Sequence, residues 1–117
     1  MKNRAEFLAE ANTHFPEAVA TIDESERGLL HCEVGAILRY VEEQMDDGKA
    51  WYCERVFRFI ESCLADADPE LENAIRVSFI EDLALGKHSK DRYIIVKDRM
   101  PPSLRDKLKL DHDYWLS

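Results

Sequence analysis

The apolar residues of this chain recur every three or four positions over most of its length, which is the spacing of one face of an α-helix. The longest series predicts a helix that ends at Gly48, a residue suited to a left-handed C-terminal cap. Thr21 followed by Glu24 has the pattern of a capping box, so the helix is expected to begin near Thr21, with Gly28 as the alternative start. The apolar positions of this helix are Leu30, Val34, Ile37, Leu38, Val41 and Met45.

Two further helices follow from the same spacing. A short amphipathic helix precedes the long one, and Pro16 is expected either to end it or to restart the chain after a break, because proline removes a backbone donor. The sequence AWYCERVFRFIESCLADA predicts a second long helix with charged residues on the opposite face. The apolar positions are Phe7, Leu8, Ala11 and Phe15 in the first of these helices, and Tyr52, Val56, Phe59, Ile60 and Cys63 in the second.

Residues 74 to 86, AIRVSFIEDLALG, suit either a buried strand or a nearly all-apolar helix. The flanking residues favour a helix of about four turns, because Asp68 is a good N-cap, Pro69 is tolerated at the first helical position and Gly86 is a C-terminal stop. Its apolar surface is wider than one stripe, so this helix is expected to be the central one. The apolar positions are Leu71, Ile75, Phe79 and Leu83 at four-residue steps, widened by Val77, Ile80 and Ala84.

The C-terminal part of the chain is less regular. Residues 87 to 100 contain YIIV, which has strand propensity but no partner strand elsewhere, so we interpret them as a short helix or an irregular segment. Pro101 and Pro102 then open a last helix with Leu104 and Leu108 facing inward.

The predicted helices together define one domain. The chain of 117 residues is long enough to remove roughly 65% of its unfolded surface from water. Short polar connections favour antiparallel neighbours. The sequence therefore predicts an all-α fold, a compact bundle of five or six mostly antiparallel helices over residues 1–117, with residues 111–117 as a loose tail.

Four segments carry a resemblance to a known group of proteins. They are HCEVGAILRYV, VFRFIESCL, ELENAIRVSFIEDLALG and the proline-led MPPSLRDKL. In this order they resemble an uncharacterised family of small bacterial all-helical domains, over roughly residues 5 to 110. Some members of that family are discussed as immunity-type or accessory proteins beside toxin systems. The resemblance implies a helical fold and supplies no catalytic residues.

Composition and charge exclude several classes of function. The net charge of −8 argues against nucleic acid as a partner, because phosphate binding needs a basic surface. No apolar run approaches the ~20 residues that span a membrane, and the N-terminus lacks the apolar stretch of a secretory signal. We therefore expect a cytoplasmic protein without a membrane partner. Its three cysteines, Cys32, Cys53 and Cys63, are expected to be buried thiols rather than disulfides.

No candidate for catalysis or metal binding stands out. Glu81 and Asp82 are adjacent, so on a helix they point about 100° apart and are expected to be solvated carboxylates. Neither Ser78 nor Cys63 has a histidine at a spacing that implies activation. His31 next to Cys32 lacks a second close pair to complete a zinc site. Asp111, His112 and Asp113 are consecutive and are expected to lie in a solvated tail. We expect no cofactor, no metal and no catalytic residue.

The segment VEEQMDDGK breaks a local rule. Glu42, Glu43, Asp46 and Asp47 crowd a helix C-terminus, where the helix dipole disfavours negative charge. Together with Asp23, Glu24 and Glu26 at the other end of the predicted helix, they form an acidic surface that would steer a basic protein partner. The alternative is that they provide solubility and pair with Lys49 or Arg39. Exposed aromatics would anchor a partner or a homodimer, namely Trp51, Tyr114 and Trp115.

A basic segment, KHSKDRYIIVKDR, offers a second explanation for the acids. It either binds an acidic partner or folds back onto the acidic helix ends of the same molecule, and we prefer the second interpretation. Its basic residues are Lys87, Lys90, Arg92, Lys97 and Arg99.

The sequence favours a non-enzymatic, acidic protein-binding module, most concretely an immunity or accessory protein that binds a basic partner. Two alternatives remain. One is a small-ligand-binding or enzymatic domain with a pocket between helices, using His31, Cys32 and Glu33. The other is a self-associating structural domain.

Overall fold

A computed structural model describes residues 1–85 and 89–108 of the chain. These residues confirm the predicted all-α bundle. The helices are α1 (Arg4–His14), α2 (Pro16–Val19), α3 (Leu30–Asp46), α4 (Ala50–Ala65), α5 (Pro69–Ile75), a π-helical segment (Arg76–Glu81), α6 (Asp82–Leu85), α7 (Lys90–Arg99) and α8 (Pro102–Leu108). The one-turn helix α2, led by Pro16, is additional to the predicted elements.

Helix α3 lies in the middle of the bundle. Helices α2, α4, α5 and α7 and the π-helical segment all pack on it, while α4 also contacts α5, α7 and α8. The helix over residues 69–85 was predicted to be the central one, and it shares that position with α3. The core joins apolar side chains of all these elements, and its largest fully buried members are Phe7, Phe57, Phe79, Met45, Ile60, Leu71, Ile75, Leu83, Leu104, Val34 and Val41.

The helix over residues 69–85 begins as predicted. The Asp68 carboxylate accepts a hydrogen bond from the backbone N–H of Leu71 at 2.8 Å, and Pro69 occupies the first turn. A step of four residues advances about 40° around an α-helix, so apolar residues at four-residue steps drift off one face. The wider turn of the π-helical segment offsets this drift. The four side chains at these steps are accordingly all fully buried: Leu71, Ile75, Phe79 and Leu83.

The predicted start of the long helix near Thr21 is wrong, because α3 begins only at Leu30. The Thr21 hydroxyl donates to the carbonyl of Ala18 at 2.6 Å and so closes the preceding turn instead. Residues 21–29 form turns, and Gly28 ends them at φ +90°, a left-handed conformation that a helix start at Thr21 does not allow. Gly28, the alternative start, therefore marks the boundary.

The predicted end of α3 and the ambiguous segment are both resolved. Gly48 has φ +75°, as expected for a C-terminal cap. Residues 90–99 are helical, which selects the short-helix interpretation over an irregular segment. The Ser89 hydroxyl caps this helix by accepting from the N–H of Arg92 at 3.2 Å.

The N-terminus is tied to the linker between α4 and α5. The N–H of Lys2 donates to Asp66 at 2.6 Å, and the N–H of Asp68 donates to the carbonyl of Lys2 at 2.8 Å. Within the described ranges, none of the helices combines the length and apolarity needed to cross a membrane.

Some predictions lie outside the described residues. They concern the helix stop, the start of the basic segment, the inward side chain of the last helix and the tail: Gly86, Lys87, His88, the side chain of Leu108, Asp111, His112, Asp113, Tyr114 and Trp115.

Candidate functional site

The acidic C-terminal end of α3 is clamped on one side by Arg92 of α7. The Arg92 guanidinium donates to both carboxylate oxygens of Asp46, at 2.7 and 2.6 Å, and to Glu42 at 3.1 Å. The bonds to Asp46 raise the pKa of the Arg92 guanidinium. The prediction that the basic segment folds back onto the acidic end of α3 is thus confirmed for Arg92. The alternative pairing with Arg39 is not observed, because Arg39 binds Glu26 at 2.8 Å.

The other half of the cluster faces solvent beside Tyr40. Glu43 and Asp47 are both exposed. The pKa of the Tyr40 hydroxyl is raised by burial and further by the negative charges of Glu17, Glu43 and Asp47. The bundle therefore gathers three carboxylates from α2 and from the end of α3 around one phenol.

An aromatic row borders these carboxylates. The Trp51 side chain is 58% exposed, and its ring lies 5.8 Å from that of Tyr52. The Tyr52 ring in turn lies 5.8 Å from Tyr40 in an edge-to-face arrangement. We call the group Glu17, Tyr40, Glu43, Asp47 and Trp51 the acidic surface.

The Tyr52 hydroxyl lies under this surface. It is buried and forms no hydrogen bond to any described residue. Burial raises its pKa strongly, and the nearby Glu17 carboxylate raises it further. The Glu17 carboxylate is thus close enough to serve as an acceptor for this hydroxyl.

The predicted members of the site are therefore divided by the fold. Glu42 and Asp46 join the intramolecular clamp, whereas Glu43, Asp47 and Trp51 face outward. The sequence analysis did not identify Glu17, which α2 brings close to α3. No local sequence pattern predicts that contact. Tyr40 follows the α3 periodicity one turn before Glu43 and was readable as a neighbour.

Two of the three acids before α3, Asp23 and Glu26, have structural partners. Asp23 accepts from the N–H of Ser25 at 2.9 Å and from its hydroxyl at 3.1 Å, and these bonds lower the Asp23 pKa. Glu26 binds Arg39, which lowers the Glu26 pKa. Their engagement separates them from the acidic surface at the opposite end of the helix.

The side chains of the alternative site at the start of α3, His31, Cys32 and Glu33, do not point to a common pocket. Glu33 is buried and accepts two hydrogen bonds from Arg4, both at 2.8 Å, and one from the N–H of Gly28 at 3.2 Å. Cys32 is a free thiol but is partly exposed, so the prediction that it is buried is wrong. His31 points to the helix over residues 69–85. The side chains of these three consecutive residues therefore face three different surroundings, as expected for neighbours on a helix.

His31 meets Ser78, a contact that the sequence spacing did not reveal. The His31 Nδ1 atom lies 2.9 Å from the Ser78 hydroxyl, and Nε2 lies 3.4 Å from the amide nitrogen of Asn73. Arg76 holds the Asn73 carbonyl oxygen at 3.2 Å, which turns the amide nitrogen toward His31. Nε2 then accepts and Nδ1–H donates to Ser78. In this tautomer the imidazole does not present a lone pair to the Ser78 proton, so the pair lacks the arrangement of an activated serine.

Other reactive groups are arranged as inert ones. Cys53 and Cys63 are fully buried, and burial raises the pKa of each thiol to about 11. A raised pKa keeps a thiol protonated and poorly nucleophilic at neutral pH. Glu81 and Asp82 are both exposed, as predicted for solvated carboxylates.

Comparison with known proteins gives a family without a described activity. A family model described as "Domain of unknown function (DUF7674)" matches residues 8–115. No curated protein and no solved structure matches the chain.

Proposed function

The chain belongs to DUF7674, a family of domains of unknown function, and we propose that it is a non-enzymatic module that binds a basic protein partner through the acidic surface. The observation that carries the proposal is the division of the acidic cluster. Arg92 pairs with Asp46 and Glu42, while Glu43 and Asp47 stay exposed next to an exposed tryptophan.

The chemistry of this surface suits a partner that presents Lys or Arg. The exposed carboxylates attract a basic surface over about one Debye length, ~8 Å at physiological salt. This attraction speeds the encounter of the two proteins. Trp51 supplies apolar contact area and a π-face for a cation at the centre of the contact. The proposal therefore joins electrostatic steering to one aromatic anchor.

The finer form of the proposal is an immunity-like role. We infer that this is a bacterial, cytoplasmic protein that neutralises a toxic or regulatory partner by covering its basic active surface. The support is an acidic helical domain in which Cys53 and Cys63 are buried and His31 contacts Ser78. A single stoichiometric partner is expected.

The test uses a pair of charge-reversal variants. The Glu43→Lys/Asp47→Lys protein and the wild type are used as baits in native lysate at low and high salt. One stoichiometric basic partner, released by salt and lost with the variant, is the expected result. Glu81→Lys/Asp82→Lys is the control, since it changes the net charge equally at two exposed positions elsewhere. Retention of the partner by the first variant would refute docking at the acidic surface.

Self-association through Trp51 is the competing use of the same surface. Light scattering at several concentrations distinguishes the two. We expect the 13.6 kDa mass of one chain. A mass of twice that value, which returns to one chain in Trp51→Ala, would favour the self-associating domain.

A further inference from the structure

A second surface on α4 has the opposite charge to the acidic surface. A cleft of about 330 Å³ opens between the end of α1, the start of α2 and the outer face of α4. It is lined by His14, Phe15, Arg55, Arg58 and Phe59. Its volume falls at the lower end of the range for small-ligand sites.

The cations of this cleft are held without partners of opposite charge. Arg55 and Arg58 are one helical turn apart on α4, and both are exposed. Among the described residues, neither forms an ion pair with a carboxylate. Glu10, one turn before His14, is already paired with Lys2 at 2.5 Å. The described lining of the cleft thus contains two arginines and no carboxylate, on a chain with a net charge of −8.

The floor of the cleft is aromatic. Phe15 and Phe59 meet edge to face with centroids 5.6 Å apart, and the Arg55 guanidinium lies 5.4 Å from the Phe15 centroid. His14 lies 6.4 Å from Phe59. A flat apolar ring would add to this aromatic cluster, while two guanidinium groups one turn apart would bind its anionic substituent.

We propose that this cleft binds a small aromatic anion, a molecule with a planar ring and one carboxylate or phosphate group. The ring lies on the partly exposed Phe59 beside His14, above the buried Phe15, and the anionic group lies between Arg55 and Arg58. This site shares no residue with the acidic surface, which it adjoins through the contact of Phe15 with Tyr52, and it does not depend on a protein partner.

The experiment is an amide chemical-shift titration of the whole chain with 2-naphthoate, with adenosine monophosphate, and with the neutral 2-naphthalenemethanol. A compact ligand of about a dozen heavy atoms is expected to bind with a Kd of about 1 mM. At least one of the two anions should shift the amides around His14 and Arg55. The neutral alcohol should bind at least about tenfold more weakly, since it lacks the charge.

Variants separate this site from a nonspecific effect. Arg55→Gln/Arg58→Gln should weaken binding of the anion at least about tenfold, because both guanidinium groups are lost. The control Arg27→Gln/Lys90→Gln removes two exposed cations elsewhere and should leave the Kd unchanged. Matching unfolding curves for both proteins show that the fold is intact. Glu43→Lys/Asp47→Lys should retain anion binding, which separates this result from the test of the acidic surface.

Three results would overturn the proposal. The first is the absence of shifts with both anions at about 5 mM, five times the expected Kd. The second is equal affinity for the neutral alcohol. The third is an unchanged Kd in Arg55→Gln/Arg58→Gln. Binding of adenosine monophosphate without binding of 2-naphthoate would support the proposal for the phosphate-bearing ligand.

Discussion

The two ends of α3 bind arginine in the same way and differ in burial. At the start, both oxygens of Glu33 accept from Arg4 at 2.8 Å, and the Glu33 side chain is 3% exposed. At the end, both oxygens of Asp46 accept from Arg92, but the Asp46 side chain is 50% exposed. Each pair joins α3 to an element distant in sequence, α1 in one case and α7 in the other.

Burial decides what each pair contributes. A carboxylate removed from water depends on its partner, so breaking the pair leaves an uncompensated charge. A carboxylate that is half in water is screened and easily rehydrated. The pair at Glu33 is therefore a structural contact of the core, whereas the pair at Asp46 is a partly solvated contact at the surface.

Glu33→Gln should produce the largest loss of stability. The glutamine side chain has the same shape as glutamate, but its NH2 group is a donor and cannot accept from Arg4. The substitution also removes the negative charge from both hydrogen bonds with Arg4. We expect a loss of about 2 to 3 kcal/mol in the free energy of unfolding, measured by urea denaturation. Glu26→Gln is the control, since it breaks the exposed bond to Arg39 and should shift the urea midpoint much less. Equal shifts in both variants would remove the distinction by burial.

The same pair predicts a pH dependence. The hydrogen bonds from Arg4 are the main reason that the pKa of Glu33 is lowered in the folded protein. Its stabilisation is therefore fully present above the unfolded-state pKa of about 4.3, and it is lost as the pH falls through the lower folded-state pKa. The stability difference between the wild type and Glu33→Gln should be constant from pH 7 to about 5 and should shrink below pH 4. A difference that stays constant down to pH 3 would contradict the lowered pKa.

Arg92→Ala should have an intermediate effect. It removes three hydrogen bonds at a side chain that is 22% exposed, and it leaves Glu42 and Asp46 at a helix C-terminus without their cation. We expect a loss of about 1 kcal/mol in the free energy of unfolding. Lys90→Ala, an exposed cation at the start of the same helix, should change stability little. A loss as large as that of Glu33→Gln would show that the two ends of α3 contribute equally.

The sequence pattern predicted those features of the fold that depend on residues close together in the chain. The helix over residues 69–85 followed from Asp68, Pro69 and the four-residue apolar steps, because caps and helix faces involve residues close in sequence. The start of α3 involved two competing local signals, the Thr21 capping box and Gly28. The positive φ of Gly28 prevailed, and sequence alone did not rank them.

Contacts between distant residues required the packed bundle. The acidic cluster at the end of α3 was visible in the sequence, but its choice of Arg92 over Arg39 depends on how α7 lies against α3. The approach of Glu17 and the meeting of His31 with Ser78 depend on packing in the same way. The chemistry of the site was readable, whereas its division into clamped and open halves was not.

The two glycines of α3 and its cap should respond in opposite directions. Gly35 lies within the helix, and an added Cβ would meet only the Arg39 side chain at 3.7 Å. Gly35→Ala should therefore stabilise the protein by about 0.5 to 1 kcal/mol. Gly48→Ala should destabilise it by about 1 kcal/mol, because φ +75° strains an L-residue. Urea denaturation of both variants measures the difference, and stabilisation by Gly48→Ala would contradict the C-cap.

The smallest change in stability is expected where the proposed function is strongest. Glu43→Gln/Asp47→Asn removes two exposed carboxylates from the negative end of the α3 dipole, so it should raise the free energy of unfolding by a few tenths of a kcal/mol. Thermal or urea denaturation at low salt measures this gain, and added salt should reduce it. A loss of stability would show that both acids have a structural partner, as Asp46 has. A gain in stability together with a loss of partner binding would show that these two carboxylates serve recognition at the expense of the helix that carries them.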